Sequence, residues 1–324
     1  MKPLIKKRIL IIGASGFIGS HLMKFLQKKK FKVVGIDNFS RKKINNHQKK
    51  DELNIFNCSI FNKKKIYNYI LKADIIIHLA AINGTVNFYN RPSEVFEVGA
   101  RGSLVLHDIL NSIYKKTNIK KDLLIASSGE VYGQPLYTPT DEKVPLKIDN
   151  IHNDRFSYGG GKIVQDLVAR YLISKITNKC ILFRPHNVYG PNMGYEHVIP
   201  ELFMKSLNSD KTLFIEGTGK ETRSFCYIED FINGLFLLIK KPSKNFEIFN
   251  IGNNEEIKII SLAKKINTKL GKNLIIKNKN IKKGGTTKRV PNINKLKKIG
   301  YKIKFNLNKG LDEFLRKDVG INEM

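Results

Sequence analysis

Arg8-Ile9-Leu10-Ile11-Ile12-Gly13-Ala14-Ser15-Gly16-Phe17-Ile18-Gly19 joins an apolar run to three glycines at fixed spacing. The run Arg8 to Ile12 suits a strand buried on both faces. From Phe17 to Lys29 the apolar residues Phe17, Ile18, Leu22, Phe25 and Leu26 fall at helical spacing. The glycines therefore stand at a strand-to-helix turn. There they permit a tight turn, a close backbone approach to a pyrophosphate, and close packing of helix on strand. The helix start adds unpaired N–H groups and a partial positive charge. A second strand, Lys32 to Ile36, ends at Asp37, about 20 residues beyond the glycines, as the dinucleotide fingerprint requires. An acidic side chain there accepts hydrogen bonds from a ribose 2′-hydroxyl and repels a 2′-phosphate, which favours NAD over NADP. An ordinary glycine turn beside a surface aspartate is the plainer alternative, but it does not call for this context.

The alternation of strand and helix continues downstream. Asp74 to Leu79 and Asp122 to Ala126 are apolar runs of buried-strand type, and Val95 to Tyr114 is a long amphipathic helix. A helix begins near Tyr158 and a strand spans Lys179 to Phe183. This order predicts an α/β fold, a doubly wound parallel sheet of the Rossmann type, over residues 1–184. Beyond Arg184 glycines, prolines and turns recur. Residues 185–324 are expected to form a smaller mixed α/β carboxy-terminal lobe that binds substrate, with some segments at about 224–252 returning to the main domain. Residues 245–251 are the candidate for rejoining the sheet.

Hydrophobic residues make up 41% of the 324-residue chain, enough for a sizeable core. No apolar run approaches the roughly 20 residues that span a bilayer. The basic start Met1 to Arg8 leads into too short an apolar run for a signal peptide. Cys58, Cys180 and Cys226 are odd in number and widely spaced, which argues against a disulfide framework or a metal site and fits the cytosol. The net charge of +30 invites a nucleic-acid reading, yet only ten of the basic residues are arginines and the lysines are scattered. Runs such as Lys28-Lys29-Lys30 and Lys63-Lys64-Lys65 read as solvated helix ends and loops. Neither nucleic acid nor membrane is expected as a partner.

Tyr158 and Lys162 lie four residues apart in Ser157-Tyr158-Gly159-Gly160-Gly161-Lys162, hence on one face of a helix. A phenol with a pKa near 10 is a poor base, and an ammonium beside it favours the phenolate. Such a pair is common by chance at a surface. The three intervening glycines are unusual, because glycine in a helix costs roughly 1 kcal/mol relative to alanine. A backbone lying close against a ligand is the expected reason. Upstream, the strand ending at Ala126 leads into Ser127-Ser128-Gly129-Glu130-Val131-Tyr132-Gly133. Ligands of open sheets bind beyond the carboxyl ends of strands, so Ser128 and Glu130 are delivered to the same crevice. Ser128 is expected to hydrogen-bond the hydroxyl that Tyr158 deprotonates. Taken singly, each reads as a turn hydroxyl and a solvated carboxylate.

Together with His78-Leu79-Ala80-Ala81, Arg184-Pro185-His186-Asn187-Val188-Tyr189-Gly190-Pro191, Gly217-Thr218-Gly219, Thr222 to Asp230 and Phe249 to Gly252, these motifs carry a resemblance along nearly the whole chain. The chain resembles the extended short-chain dehydrogenases/reductases of the nucleotide-sugar epimerase/dehydratase/decarboxylase group. The resemblance implies a bound NAD that cycles within each turnover. It places Gly13, Ser15, Gly16, Phe17, Ile18, Gly19, Asp37, Asn38, Ser40, Ser59, Ile60, Leu79, Ala80, Ala81, Ser127, Tyr158, Lys162 and Pro185 around the cofactor. The catalytic set it implies is Ser128, Glu130, Tyr158 and Lys162. Gly84, Ser128, Glu130, Asn187, Val198, Arg223 and Arg289 are implied as contacts to a nucleotide-diphosphate sugar, with Asn187, Arg223 and Arg289 on the diphosphate. His197 reads equally as a surface residue or a ligand contact. No metal is implied. A homodimer is, through a four-helix contact of the helices at about 95–115 and 158–174.

The chain departs from the group in several places. Asn57-Cys58-Ser59-Ile60 lacks the usual aspartate near adenine, Gly99 replaces an asparagine, and Asn292 stands where aspartate is frequent. The dehydratases of the group carry an aspartate where this chain has Gly129. Loss of water across C5–C6 needs an acid for the leaving hydroxyl. Epimerisation, most simply at C4 through a transient 4-keto sugar, needs only Ser128, Tyr158 and Lys162 and is the favoured expectation. It would serve surface polysaccharide or glycan precursor synthesis. Decarboxylation of a UDP-glucuronate, 4,6-dehydration and simple 4-dehydrogenation remain open, as does a non-catalytic member of the fold that binds NAD or RNA.

Overall fold

The computed structural model describes residues 4–40, 53–242, 246–279 and 285–319. Met1, Lys2 and Pro3 of the basic start read above lie outside these. The main sheet uses β1 (Arg8–Ile12), β2 (Lys32–Asp37), β3 (Ile55–Asn57), β4 (Ile75–His78), β5 (Lys121–Ala126) and β6 (Thr177–Pro185). Around it run α1 (Phe17–Lys28), α2 (Lys63–Lys72), α3 (Thr85–Asn90), α4 (Pro92–Thr117) and α5 (Phe156–Tyr171). The carboxy-terminal part adds β7 (Val188–Tyr189), α6 (Val198–Leu207), β8 (Thr212–Glu216), β9 (Thr222–Ser224), β10 (Cys226–Tyr227) and α7 (Ile228–Lys240). It continues through β11 (Phe246–Ile251), β12 (Glu256–Lys258), α8 (Ile259–Lys269), β13 (Ile275–Lys279), β14 (Lys288–Arg289), α9 (Asn294–Lys297) and α10 (Leu307–Phe314).

The seven-stranded sheet runs β11-β6-β5-β4-β1-β2-β3, with every neighbouring pair parallel. Its order reverses between β1 and β4, which opens a crevice at the carboxyl ends of the strands. Both faces are buried, and β1 shows why its run is continuously apolar. Ile9 and Ile11 join the core that also holds Leu22 and Phe231, whereas Leu10 and Ile12 join the one holding Ile66, Leu106 and Val168. Truncating one such isoleucine to alanine would cost about 2–5 kcal/mol. The segment from 246 rejoins the sheet as β11, beside β6. The remaining carboxy-terminal strands form three small sheets, β10-β7, β12-β9-β14 and β13-β8.

The glycines of α5 serve the fold. A Cβ on Gly99 of α4 would stand 2.9 Å from the Gly161 carbonyl carbon, and one on Gly161 would stand 3.1 Å from the Phe96 oxygen. The two helices therefore cross backbone to backbone. Gly159 and Gly160 face the Glu130 carbonyl, Ile148 and the Phe96 ring. This corrects the expectation of a ligand against that backbone: α4, the Glu130 turn and Ile148 take the space, and so set where Tyr158 stands.

Candidate active site

All the residues named above for cofactor and substrate line one cleft of about 780 Å³ at the crevice. At its inner end Gly13 has φ +86°, and a Cβ on it would lie 2.6 Å from the Ala80 nitrogen. A Cβ on Gly19 would lie 2.3 Å from the Gly13 oxygen. Only glycine permits this approach of loop, helix and β4. No side chain caps the start of α1, so its first N–H groups remain for an anion. The Asp37 carboxylate accepts from the Ser15 N–H at 3.0 Å and the Phe39 N–H at 2.8 Å, which ties the glycine loop to the end of β2. Ser59 and Ile60 line the far end. A glycine cradle, an uncapped helix start and an acidic residue beside them fit the phosphates and ribose of a dinucleotide.

Helix α5 enters the cleft at Tyr158, whose ring stacks on Phe88 with centroids 4.9 Å apart. The Lys162 ammonium lies 5.9 Å from the Tyr158 ring centroid. It donates to the Ala126 carbonyl at 2.7 Å and to Gln165 Oε1 at 3.0 Å. Burial, opposed in part by Asp166, lowers its pKa to about 8. Ser128 Oγ accepts from the Glu130 N–H at 3.1 Å, which leaves its proton to donate. Beneath this group runs a buried polar chain. Arg184 donates to Asp166 Oδ2 at 2.9 Å and to the Tyr132 hydroxyl at 2.7 Å. The Tyr132 hydroxyl in turn donates to Asn250 Oδ1 at 2.9 Å.

The end of the cleft around Glu130 is cationic. Arg289 grips Glu130 through two hydrogen bonds, 2.6 and 2.9 Å, and Arg155 lies 3.8 Å from the same carboxylate. Burial alone would raise Glu130, but Arg289, Arg155 and Arg223 hold it at about 2. A carboxylate so fixed does not exchange protons near neutrality. Glu130 is instead placed to orient Arg289. Arg223 donates to the Thr286 and Thr287 carbonyls, and burial with Arg289 beside it lowers its pKa to about 10. Asn187 donates to the Ser224 carbonyl at 2.8 Å. Val198 begins α6 at the mouth, and Gly84, at φ +111°, packs against the Glu196 side chain.

Sequence reading missed Arg155, Phe88, His186 as a side chain, and the Asp166–Arg184 pair. Two of these leave a trace. Asp166 lies four residues beyond Lys162, on the same helical face, and Arg155 lies three before Tyr158. Phe88 and His186 reach the site only through tertiary packing. Among the described residues no group of three or more His, Cys, Asp or Glu is arranged to hold a metal, and no helix is long and apolar enough to cross a membrane.

Comparison with known proteins places this cleft in a family. The chain belongs to the NAD-dependent epimerase/dehydratase family, whose model matches residues 9–252, and NAD is its cofactor. The dTDP-D-glucose 4,6-dehydratase of Bos taurus is 30% identical over 192 residues, 59% of this chain and 50% of that protein. The chain thus spans about half the length of that relative. UDP-glucuronic acid decarboxylase 5 of Arabidopsis thaliana is 27% identical over 98% of this chain and 91% of its own. Among solved structures, UDP-glucose 4-epimerase of Thermotoga maritima with UDP-glucose superposes with a TM-score of 0.81. It is 24% identical, and the match covers 96% of this chain and 98% of that one.

Proposed function

We propose that this chain is a cytosolic, homodimeric nucleotide-sugar epimerase that inverts C4 through a transient 4-keto sugar. One observation carries the choice of reaction. A side chain at position 129 would be the acid for expelling water, and a Cβ there would lie 2.7 Å from the His186 ring. No acid stands in that place, while the groups needed for reversible oxidation are all present.

The chemistry follows from the residues. NAD, when bound, supplies the hydride acceptor and later the donor. Ser128 donates to the C4 oxygen and holds it against Tyr158, and the phenolate removes the hydroxyl proton. Lys162, charged and buried, makes the phenolate accessible near neutrality. Rotation of the keto sugar within the cleft exposes its other face, and Tyr158 returns the proton as the hydride comes back. Arg223 and Asn187, with the Gly84 and Val198 backbones, hold the diphosphate and nucleotide. Arginine's fork suits the diphosphate. Both α4 and α5 carry exposed apolar side chains, among them Phe96, Leu104, Leu167 and Tyr171, which support a second copy docking on this face. The three free cysteines are buried and support a reducing compartment.

A second reading has a specific observation in its favour. Arg289 and Arg155 converge on Glu130 beside the catalytic tyrosine, and such a cationic wall would seat a uronate carboxylate before its loss as carbon dioxide. The test is a mass-resolved product assay of the NAD-loaded protein with UDP-, GDP-, dTDP- and CDP-sugars, uronates included. An isomer of unchanged mass is expected. A product lighter by carbon dioxide selects the second reading, and one lighter by water or by two hydrogens rejects both.

A further inference from the structure

The buried polar chain behind the site ends on His186, which the proposed chemistry does not use. Asn250 fixes the state of that ring. Its amide nitrogen donates to the Thr140 carbonyl at 3.0 Å and the Asn292 carbonyl at 3.3 Å, so its amide orientation is set. Its oxygen already accepts from Tyr132 at 2.9 Å and faces His186 Nε2 at 3.1 Å. An oxygen in this position only accepts, so Nε2 carries the proton and Nδ1 is bare. Burial lowers the imidazole to about 3, which keeps it neutral. Nδ1 is sealed from solvent and has no partner among the described residues. It faces Gly129: a Cβ built there would lie 2.7 Å from both Nδ1 and Cε1, closer than real contacts allow. The Tyr132 ring lies alongside at 6.1 Å, and a Cβ on Gly252 would lie 3.0 Å from His186 Cβ, so the imidazole has little room to withdraw.

We infer that His186 is a specificity-determining residue: its ring fills the space of any side chain at 129 and turns a protonless nitrogen toward it. The inference rests on the reading of the cleft as a site that oxidises a nucleotide sugar, and it adds the cause of the outcome. The neighbour of Ser128 is denied an acid by volume and by tautomer together. The 4-keto sugar then keeps its C6 oxygen and can only take its hydride back at C4. Removing the ring would free the space. A carboxylic acid introduced at 129 would then protonate the departing C6 hydroxyl. The C5 proton would leave to solvent, and the hydride taken at C4 would return to C6 while a proton adds at C5. The net change is loss of one water, with NAD restored.

A cycle of Gly129→Ala, His186→Ala and the double variant, followed by thermal unfolding of the NAD-loaded protein, reads the steric coupling. Gly129→Ala is expected to lower the midpoint clearly with His186 present and little without it, since Asn250 Oδ1 keeps Tyr132 as partner. Additive shifts would overturn the inference. Proton-coupled ¹⁵N spectra of histidine-labelled protein should show a neutral Nε2–H ring across the neutral range, and a protonated Nδ1 would overturn it too. In the product assay, Gly129→Asp with His186→Ala should yield a water-lost product that the wild type does not form, about a hundredfold more of it than Gly129→Asp alone, the scale of one positioned acid. A folded double variant without that product refutes the claim on specificity. Water loss by the wild type instead sinks the proposed reaction.

Discussion

Lys162 keeps an ammonium in a place that resists charge, and the consequence is a pH limit on turnover. In the proposed mechanism the ammonium favours the Tyr158 phenolate, and burial has brought its pKa to about 8. Turnover is expected to fall as pH rises through that value. Lys162→Arg, charged at any usable pH, should move the alkaline limb upward even if the rate drops. A limb that stays put assigns it to another group. The stability effect has the opposite sign. A lysine whose folded pKa is lowered binds fewer protons than the unfolded chain between about 8 and its ordinary 10.5, so this site gains stability with rising pH there. Glu130 behaves conversely. Held at about 2 against an ordinary 4.5, it contributes stability above 4.5 that is lost as pH falls toward 2. Tyr158→Phe keeps the ring on Phe88 and removes only the hydroxyl proposed as the acid–base group. It should lower kcat by about 10²–10⁴-fold while leaving NAD affinity, read by fluorescence titration, near the wild-type value.

Several elements depend on lysines turned inward, which accounts for part of the scattered positive charge. Lys121, on β5, donates to the Leu71 and Ala73 carbonyls at the end of α2. Lys179, on β6, donates to the Leu238, Ile239 and Lys241 carbonyls at the end of α7, and Lys272 to those of Ser206, Leu207 and Ser209 at the end of α6. Each places a cation where a helix leaves unpaired carbonyls and the negative end of its dipole. Lys121→Met should therefore cost about 2 kcal/mol, seen as a lower urea midpoint at unchanged slope. The crossing of α4 and α5 gives a test with competing signs. Helix propensity alone predicts that Gly99→Ala gains about 1 kcal/mol. Packing predicts a loss, because the new methyl meets Gly161 backbone at 2.9 Å. Destabilisation with reduced turnover would show that the crossing positions Tyr158, and a gain in stability would refute that role. Elements of this kind were only half legible beforehand. Strands β1, β2, β4, β5 and β6 and helices α1, α4 and α5 announced themselves by their apolar patterns, and the Gly13 turn by its spacing. The inward lysines and the Gly99–Gly161 contact leave no local pattern, because their partners lie tens of residues away in sequence.

For the whole molecule the same limit holds. The sheet, the crevice and most of the site could be read because α/β folds bring strand ends together, so Ser128 and Tyr158 had to converge. Arg289 and Glu130 were named from the resemblance, but their convergence with Arg155 could not be read, since Arg155 lies in the middle of the chain and Arg289 near its carboxyl end. Assembly is the remaining question at this scale, and two physical terms oppose each other. Phe96, Leu104, Leu167 and Tyr171 are each at least 43% exposed on two adjoining helices, and burying such side chains yields roughly 25 cal/mol per Å². Against that, two bodies of net charge +30 repel. The repulsion is long-range and is screened over about 8 Å at physiological ionic strength, whereas the apolar gain hardly weakens with salt. A dimer through α4 and α5 should therefore tighten as salt is raised, the reverse of an interface held by ion pairs. Light scattering coupled to size exclusion across a salt series reads this directly. Leu104→Glu with Leu167→Glu should give a monomer at every salt concentration while leaving NAD binding intact. A dimer that loosens with salt, or one that survives both substitutions, would place the interface elsewhere.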